Sequence, residues 1–148
     1  MKISDFLAAA DVRTDIAPSD KQKLLSDLAH KAAPAVNLAP DVILTELTKR
    51  EELGSTGMGG GVAIPHARLQ QLEKPFGMLV RLKRPINFDS VDGKPVDTVC
   101  LLLLPEANGG DRVGALACVA RKLRDPATIS AVRHARDGAQ IYRTLTAD

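Results

Sequence analysis

The stretch Val96-Asp97-Thr98-Val99-Cys100-Leu101-Leu102-Leu103-Leu104-Pro105 decides the fold class. From Val99 to Leu104 every residue is apolar. A strand with one wet face alternates polar and apolar residues, whereas a strand covered on both faces reads as a continuous run. The run is far too short to span a bilayer, which needs about 20 apolar residues. A strand buried on both faces needs helices on both sides of its sheet, and the flanking sequence supplies them.

Upstream, Ser19 reads as an N-cap with Gln22 three residues on, the spacing of a capping box. Leu24, Leu25, Leu28, Ala29 and Ala32 follow at helical spacing, so a helix is expected from about Ser19 to Ala33. Residues 1–18 read as an extended or irregular entry closing at Pro18. Pro40 suits the first turn of a second helix, striped by Ile43, Leu44 and Leu47 and stopped by Gly54 near Leu53. Gly54 to Gly61 holds five glycines and is expected to form no regular element. Val62-Ala63-Ile64 reads as a short buried strand ending at Pro65. Phe76 to Leu82 is a further strand, with Pro85 breaking it from Ile86-Asn87-Phe88, and Asp92-Gly93 is a turn.

Downstream, Pro105 to Gly110 is a loop. Asp111 can cap a helix striped by Val113, Leu116, Ala117, Ala120 and Leu123. Asp125-Pro126 opens another, striped by Ile129 and Val132. Asp137 and Gln140 open a last one, with Ile141 and Leu145 inside. The order implies an α/β (α+β) layered sandwich, a mixed sheet flanked by helices, as one domain over 1–148.

Composition narrows the function classes. The chain has 148 residues, 45% hydrophobic and 26% charged, with 20 Lys and Arg against 18 Asp and Glu and a net charge of +2. Those values are globular rather than disordered. The cations are scattered and only three Phe and one Tyr are present, which argues against a nucleic-acid groove. Cys100 and Cys118 lie in apolar segments without CxxC spacing. They read as buried free thiols of a reducing compartment, and no His or Cys cluster suggests a metal. The segment before Ser4-Asp5 lacks a signal-peptide profile, so the expected location is cytoplasmic.

The chemistry concentrates between Arg50 and His66. Glycines let several N–H groups turn toward one anion, and Ser55 and Thr56 add hydroxyl donors. His66 follows a buried strand and a proline, which fix its backbone. A fixed neutral imidazole beside an anion-binding loop suits nucleophilic attack on a phosphoryl group. The same residues also admit plainer readings. The glycines can be only a loop, Arg50 only a solvated charge beside Glu51, and His66 only a structural side chain. No Walker A string is present, and the helix-then-strand order is the reverse of a dinucleotide site.

The run Leu47-Thr48-Lys49-Arg50-Glu51-Glu52-Leu53-Gly54-Ser55-Thr56-Gly57-Met58-Gly59-Gly60-Gly61-Val62-Ala63-Ile64-Pro65-His66 closely resembles the active-site signature of the EIIA domains of the bacterial phosphotransferase system. These are the fructose/mannitol type and its nitrogen-regulatory relatives. The resemblance continues through Pro85–Asp89, Asp92–Asp97, Leu101–Pro105, Ala120–Leu123 and Ile141-Tyr142. It implies a mixed sheet between helices. It implies that His66 accepts phosphate from an HPr-like phosphocarrier protein, itself supplied from phosphoenolpyruvate through enzyme I. It implies that Arg50 sits near the phosphohistidine, with Gly57, Gly59 and Gly61 bringing backbone toward the phosphate. It implies regulated target proteins as partners, no cofactor, no nucleic acid and no embedding in a membrane. One position departs: Arg112 stands where the family usually carries a second histidine, and its permanent cation is expected to bind phosphate but not to share a proton. His30 and His134 do not match that position. The form of the Ser-Thr-Gly-Met-Gly string resembles the nitrogen-regulatory branch. A sugar-transport relay and a binding-only descendant are the other readings.

Overall fold

A computed structural model of the chain describes residues 1–106 and 109–147, the side chains of 109–113 excepted. Among them are six strands in one mixed sheet: β1 (Leu7–Ile16), β2 (Gly57–Gly59), β3 (Val62–Ala63), β4 (His66–Leu69), β5 (Phe76–Ile86) and β6 (Val96–Pro105). The helices are α1 (Lys21–Val36), α2 (Pro40–Glu52), α3 (Gly109–Arg124), α4 (Pro126–His134) and α5 (Gly138–Thr146).

β6 is the hub. It pairs antiparallel with β5, from Phe76↔Leu103 to Arg81↔Thr98. On its other side it pairs in parallel with β3 and then with β4. β1 lies parallel to β5, and β2 lies antiparallel to β3. The pleat sends alternate β6 side chains to opposite faces. Val99, Leu101 and Leu103 join the core under α1 and α2, while Cys100, Leu102 and Leu104 join the core under α3, α4 and α5. All six are buried, so the layered sandwich expected from the apolar run is the one observed.

Several local expectations are corrected or sharpened. The glycine-rich stretch from Gly54 to Gly61 does hold a regular element, β2 at Gly57–Gly59, paired with β3. Of the two readings of residues 1–18, extended or irregular, the extended one holds: Leu7–Ile16 is a full strand, half-exposed and therefore without an apolar signature. The cap of α1 is Asp20, whose carboxylate accepts from the Lys23 N–H at 2.8 Å, and not Ser19. α1 runs past Ala33 to Val36 with Pro34 inside, ending where Asn37 adopts a left-handed conformation. Pro34 has no N–H to donate to the His30 carbonyl one turn back, and the helix ends within one turn of it. Pro85 does not end β5. The strand continues to Ile86, and an irregular register between Arg81 and Ile86 accommodates the residue that cannot donate. α3 begins at Gly109, which puts Asp111 inside its first turn rather than ahead of it.

Candidate functional site

β3 and β4 are one strand broken at Ile64-Pro65. Both halves lie along β6, and the Leu102 N–H donates to the Pro65 carbonyl at 3.0 Å. The sequence reading ended this strand at Pro65, but pairing resumes at His66 opposite Leu102. The break frees the Ile64 carbonyl from the ladder. His66 Nδ1 lies 2.7 Å from it. A carbonyl only accepts, so Nδ1 carries the proton and Nε2 of the neutral ring keeps its lone pair.

β4 alternates. Ala67 and Leu69 are buried, while half-buried His66 and exposed Arg68 share the outward face. That face opens on a cavity of about 390 Å³ formed with the last turns of α2, where Glu46, Lys49, Arg50 and Leu53 contribute, and with Glu106 at the end of β6. Arg50 is in the last turn of α2, and its Nη1 donates to the Gly54 carbonyl at 2.8 Å. Lys49 pairs with Glu46 at 3.3 Å.

Burial is the largest influence on His66 and holds its pKa below the ordinary 6.5. The Ile64 carbonyl opposes this, as does the Glu51 charge, while Arg50 and Arg68 push it further down. The ring is therefore neutral at pH 7, a nucleophile facing a cavity bordered by Lys49, Arg50 and Arg68.

The structure brings His66 and Arg50 together. It does not bring the other loop residues to that cavity. The Ser55 hydroxyl donates to the Phe88 carbonyl at 2.7 Å and accepts from the Gly57 N–H at 3.0 Å. The Thr56 hydroxyl donates to Glu51. Gly59 lines a separate cavity of about 550 Å³ beside α4. Gly61 turns the β2–β3 hairpin at φ +82°, and a Cβ there would collide with the Arg133 guanidinium, itself held by Asp97 at 3.0 Å. The Gly60 N–H goes to Asp92 at 3.0 Å. The Arg112 side chain lies outside the described residues.

Two site features were not read from the sequence. Arg68 was legible in principle, since His-x-Arg on a strand shares a face. No role for Glu51 is legible in the sequence. Its side chain is 6% exposed and pairs at 3.0 Å with Lys21. Among the described residues no cluster of His, Cys, Asp and Glu could hold a metal, and no helix is long and apolar enough to cross a membrane. Cys100 is buried, which pushes its thiol up to about 12.

Residues 5–148 match the family described as "Phosphoenolpyruvate-dependent sugar phosphotransferase system, EIIA 2". The chain belongs to that family. Among curated relatives, it is 44% identical over 145 residues to the nitrogen regulatory protein of Bradyrhizobium diazoefficiens, covering 98% of this chain and 95% of that one. It is 31% identical over 147 residues to the nitrogen regulatory protein of Escherichia coli K12, covering 99% and 90%. The crystal structure of nitrogen regulatory protein IIA-Ntr from Neisseria meningitidis superposes with a TM-score of 0.93 at 29% identity, covering 97% of this chain and 99% of that one. A complex of enzyme IIA-mannitol with phosphorylated enzyme IIB-mannitol from Escherichia coli shares the fold, with a TM-score of 0.80 at 12% identity and coverage of 95% and 97%.

Proposed function

We propose that this chain is a regulatory phosphoryl carrier, linked to nitrogen metabolism as its relatives' names indicate, with His66 Nε2 as the acceptor atom. The observation that carries the reading is the Nδ1 to Ile64 carbonyl contact at 2.7 Å, which reserves the other nitrogen for attack. The Nε2 lone pair forms the bond to phosphorus. The bond from phosphorus to the HPr-like carrier breaks, and its electron pair returns to the carrier. As the ring gains positive character, the Ile64 carbonyl accepting from Nδ1–H stabilises it.

Arg50 and Arg68 hold the phosphoryl oxygens from opposite elements, α2 and β4. Arg50 offers a planar fork, and its bond to Gly54 keeps it oriented before the phosphate arrives. Ser55, Thr56, Gly57, Gly59 and Gly61 serve the site by building the loop and hairpin that set His66 in place. The phosphate adds about 1.5 to 2 negative charges at this cavity, and partner proteins read that change.

The test is intact-protein mass measurement after incubation with phosphoenolpyruvate, enzyme I and an HPr-like carrier. One acid-labile phosphoryl group is expected on the wild type and none on His66→Ala. Full phosphorylation of His66→Ala overturns the assignment.

A further inference from the structure

We propose that Glu51 is the positioning residue of His66: acting through Thr56 and Ile64, it fixes which ring nitrogen carries the proton. The inference rests on the carrier reading and deepens it. Glu51 holds Thr56 twice. One carboxylate oxygen accepts from the Thr56 N–H at 3.0 Å, and the other accepts from the Thr56 hydroxyl. The Thr56 carbonyl in turn accepts from the Ile64 N–H at 3.0 Å. The Ile64 carbonyl accepts from His66 Nδ1 at 2.7 Å. Every link has its donor and acceptor fixed by chemistry, so the chain of contacts runs without ambiguity from carboxylate to imidazole.

What passes along this chain is position. The Ile64 carbonyl is outside the β6 ladder, and only its neighbours aim it. Pro65 behind it fixes one backbone angle and keeps Ile64 extended. The Leu102 contact pins the Pro65 carbonyl. The remaining freedom, rotation of Ile64 relative to β6, is taken up by Thr56, and Thr56 is held by Glu51.

Glu51 is itself locked. Lys21, at the start of α1, pairs with it at 3.0 Å and lies 4.4 Å over the Phe88 ring, and Lys21 also reaches Asp89 at 3.9 Å. The fully buried Phe88 supports the loop a second time, through its carbonyl and Ser55. A buried carboxylate is costly to keep unless it is both paired and hydrogen-bonded, and Lys21 and Thr56 supply the two. Its place between Lys21 and Thr56 gives it a task that the cavity-facing Arg50 beside it does not have.

The decisive readout is the His66 tautomer, followed by ¹⁵N NMR of the ring in the unphosphorylated protein. The wild type should favour Nδ1–H by about tenfold, the value of one well-placed hydrogen bond. Glu51→Gln keeps the shape and removes the charge, and Thr56→Val removes the hydroxyl alone. Each should shift the ring toward Nε2–H and slow phosphoryl uptake from the phosphorylated carrier by about tenfold to a hundredfold. Thr56→Ser should restore both. A wild-type ring dominated by Nε2–H overturns the inference without any variant. So does an unchanged tautomer ratio in whichever of the two variants keeps the wild-type amide spectrum. A wild type that takes up no phosphate would instead sink the carrier reading, while the tautomer measurement still decides the role of Glu51.

Discussion

Arg50 Nη1 and the Gly54 carbonyl, four residues apart, close the end of α2 at 2.8 Å. The guanidinium thereby serves as a cap for its own helix and still has most of its five N–H donors available. Its orientation is set before any phosphate arrives, so little side-chain entropy is lost when one does.

Arg50→Ala should slow phosphoryl uptake about a hundredfold, near 3 kcal/mol, the usual cost of removing one donor to a developing anion. Arg50→Lys should fall between, because it keeps the charge and loses the fork. Quenched-flow phosphorylation with the HPr-like carrier measures both. A wild-type rate for Arg50→Ala in a folded protein would leave Arg50 with its capping role alone.

Arg68→Ala removes a cation from the outward face of β4 without touching the core. Its charge depresses the His66 pKa, so the variant's histidine should titrate at higher pH, by NMR of the ring protons. Phosphoryl uptake should slow as well, by less than in Arg50→Ala. An unshifted titration would place Arg68 away from the ring.

Stability should depend on His66 with a definite sign. The unfolded chain takes up its proton near pH 6.5, and the folded chain only at lower pH. In that window the unfolded state binds more protons, so stability falls as the pH drops below about 6.5 toward the folded pKa. Above the window His66 contributes no slope. Urea midpoints at about pH 7.5 and 5.5 should converge more closely in His66→Ala than in the wild type. Equal acid losses in both would show that burial does not oppose the charged ring.

Gly61→Ala should destabilise by about 1–3 kcal/mol, from the left-handed backbone and the collision with Arg133. Phosphoryl uptake by the fraction still folded should remain near wild type, because the hairpin tip lines a cavity separate from that of His66. Thermal melts and uptake assays separate the two effects. A large loss of uptake with an unchanged melt would restore the glycines to the phosphate site.

His66→Asp and His66→Ala should recover different partner sets in affinity pull-downs, since one carries an imperfect mimic of the phosphate charge and the other carries none. Identical sets would count against a switch read by partner proteins.

The parts of this fold that could be read in the sequence are those where burial leaves a pattern. β6 is covered on both faces, and its apolar run announces that. β1 is an edge strand with most of its residues wet, so Ala8 to Asp11 carries no alternation to read. β4 lasts four residues behind a proline, too short for a period to show. Arg50 and His66, which the structure places on one cavity, stand out in the sequence because their string is distinctive. The roles of Ser55 and Thr56 could not, because a hydroxyl's partner depends on what folds beside it. Phe88 and Glu51 claim them here, in place of an incoming anion. The role of Glu51 was not legible for the same reason: its partner Lys21 belongs to a different helix.

The hub position of β6 has a consequence for biosynthesis. Its partners β3, β4 and β5 all precede it in the chain. A ribosome adding about 5–20 residues per second therefore exposes His66 and its strand seconds before the strand they pair with exists. Until Pro105 has left the exit tunnel, the nascent chain can form the α1–α2 pair and join β1 to β5, but it has no centre on which to assemble the edge that carries His66. Stalled or truncated products ending before that point should expose the apolar faces of β5 and of α1, and are natural clients for chaperones and proteases.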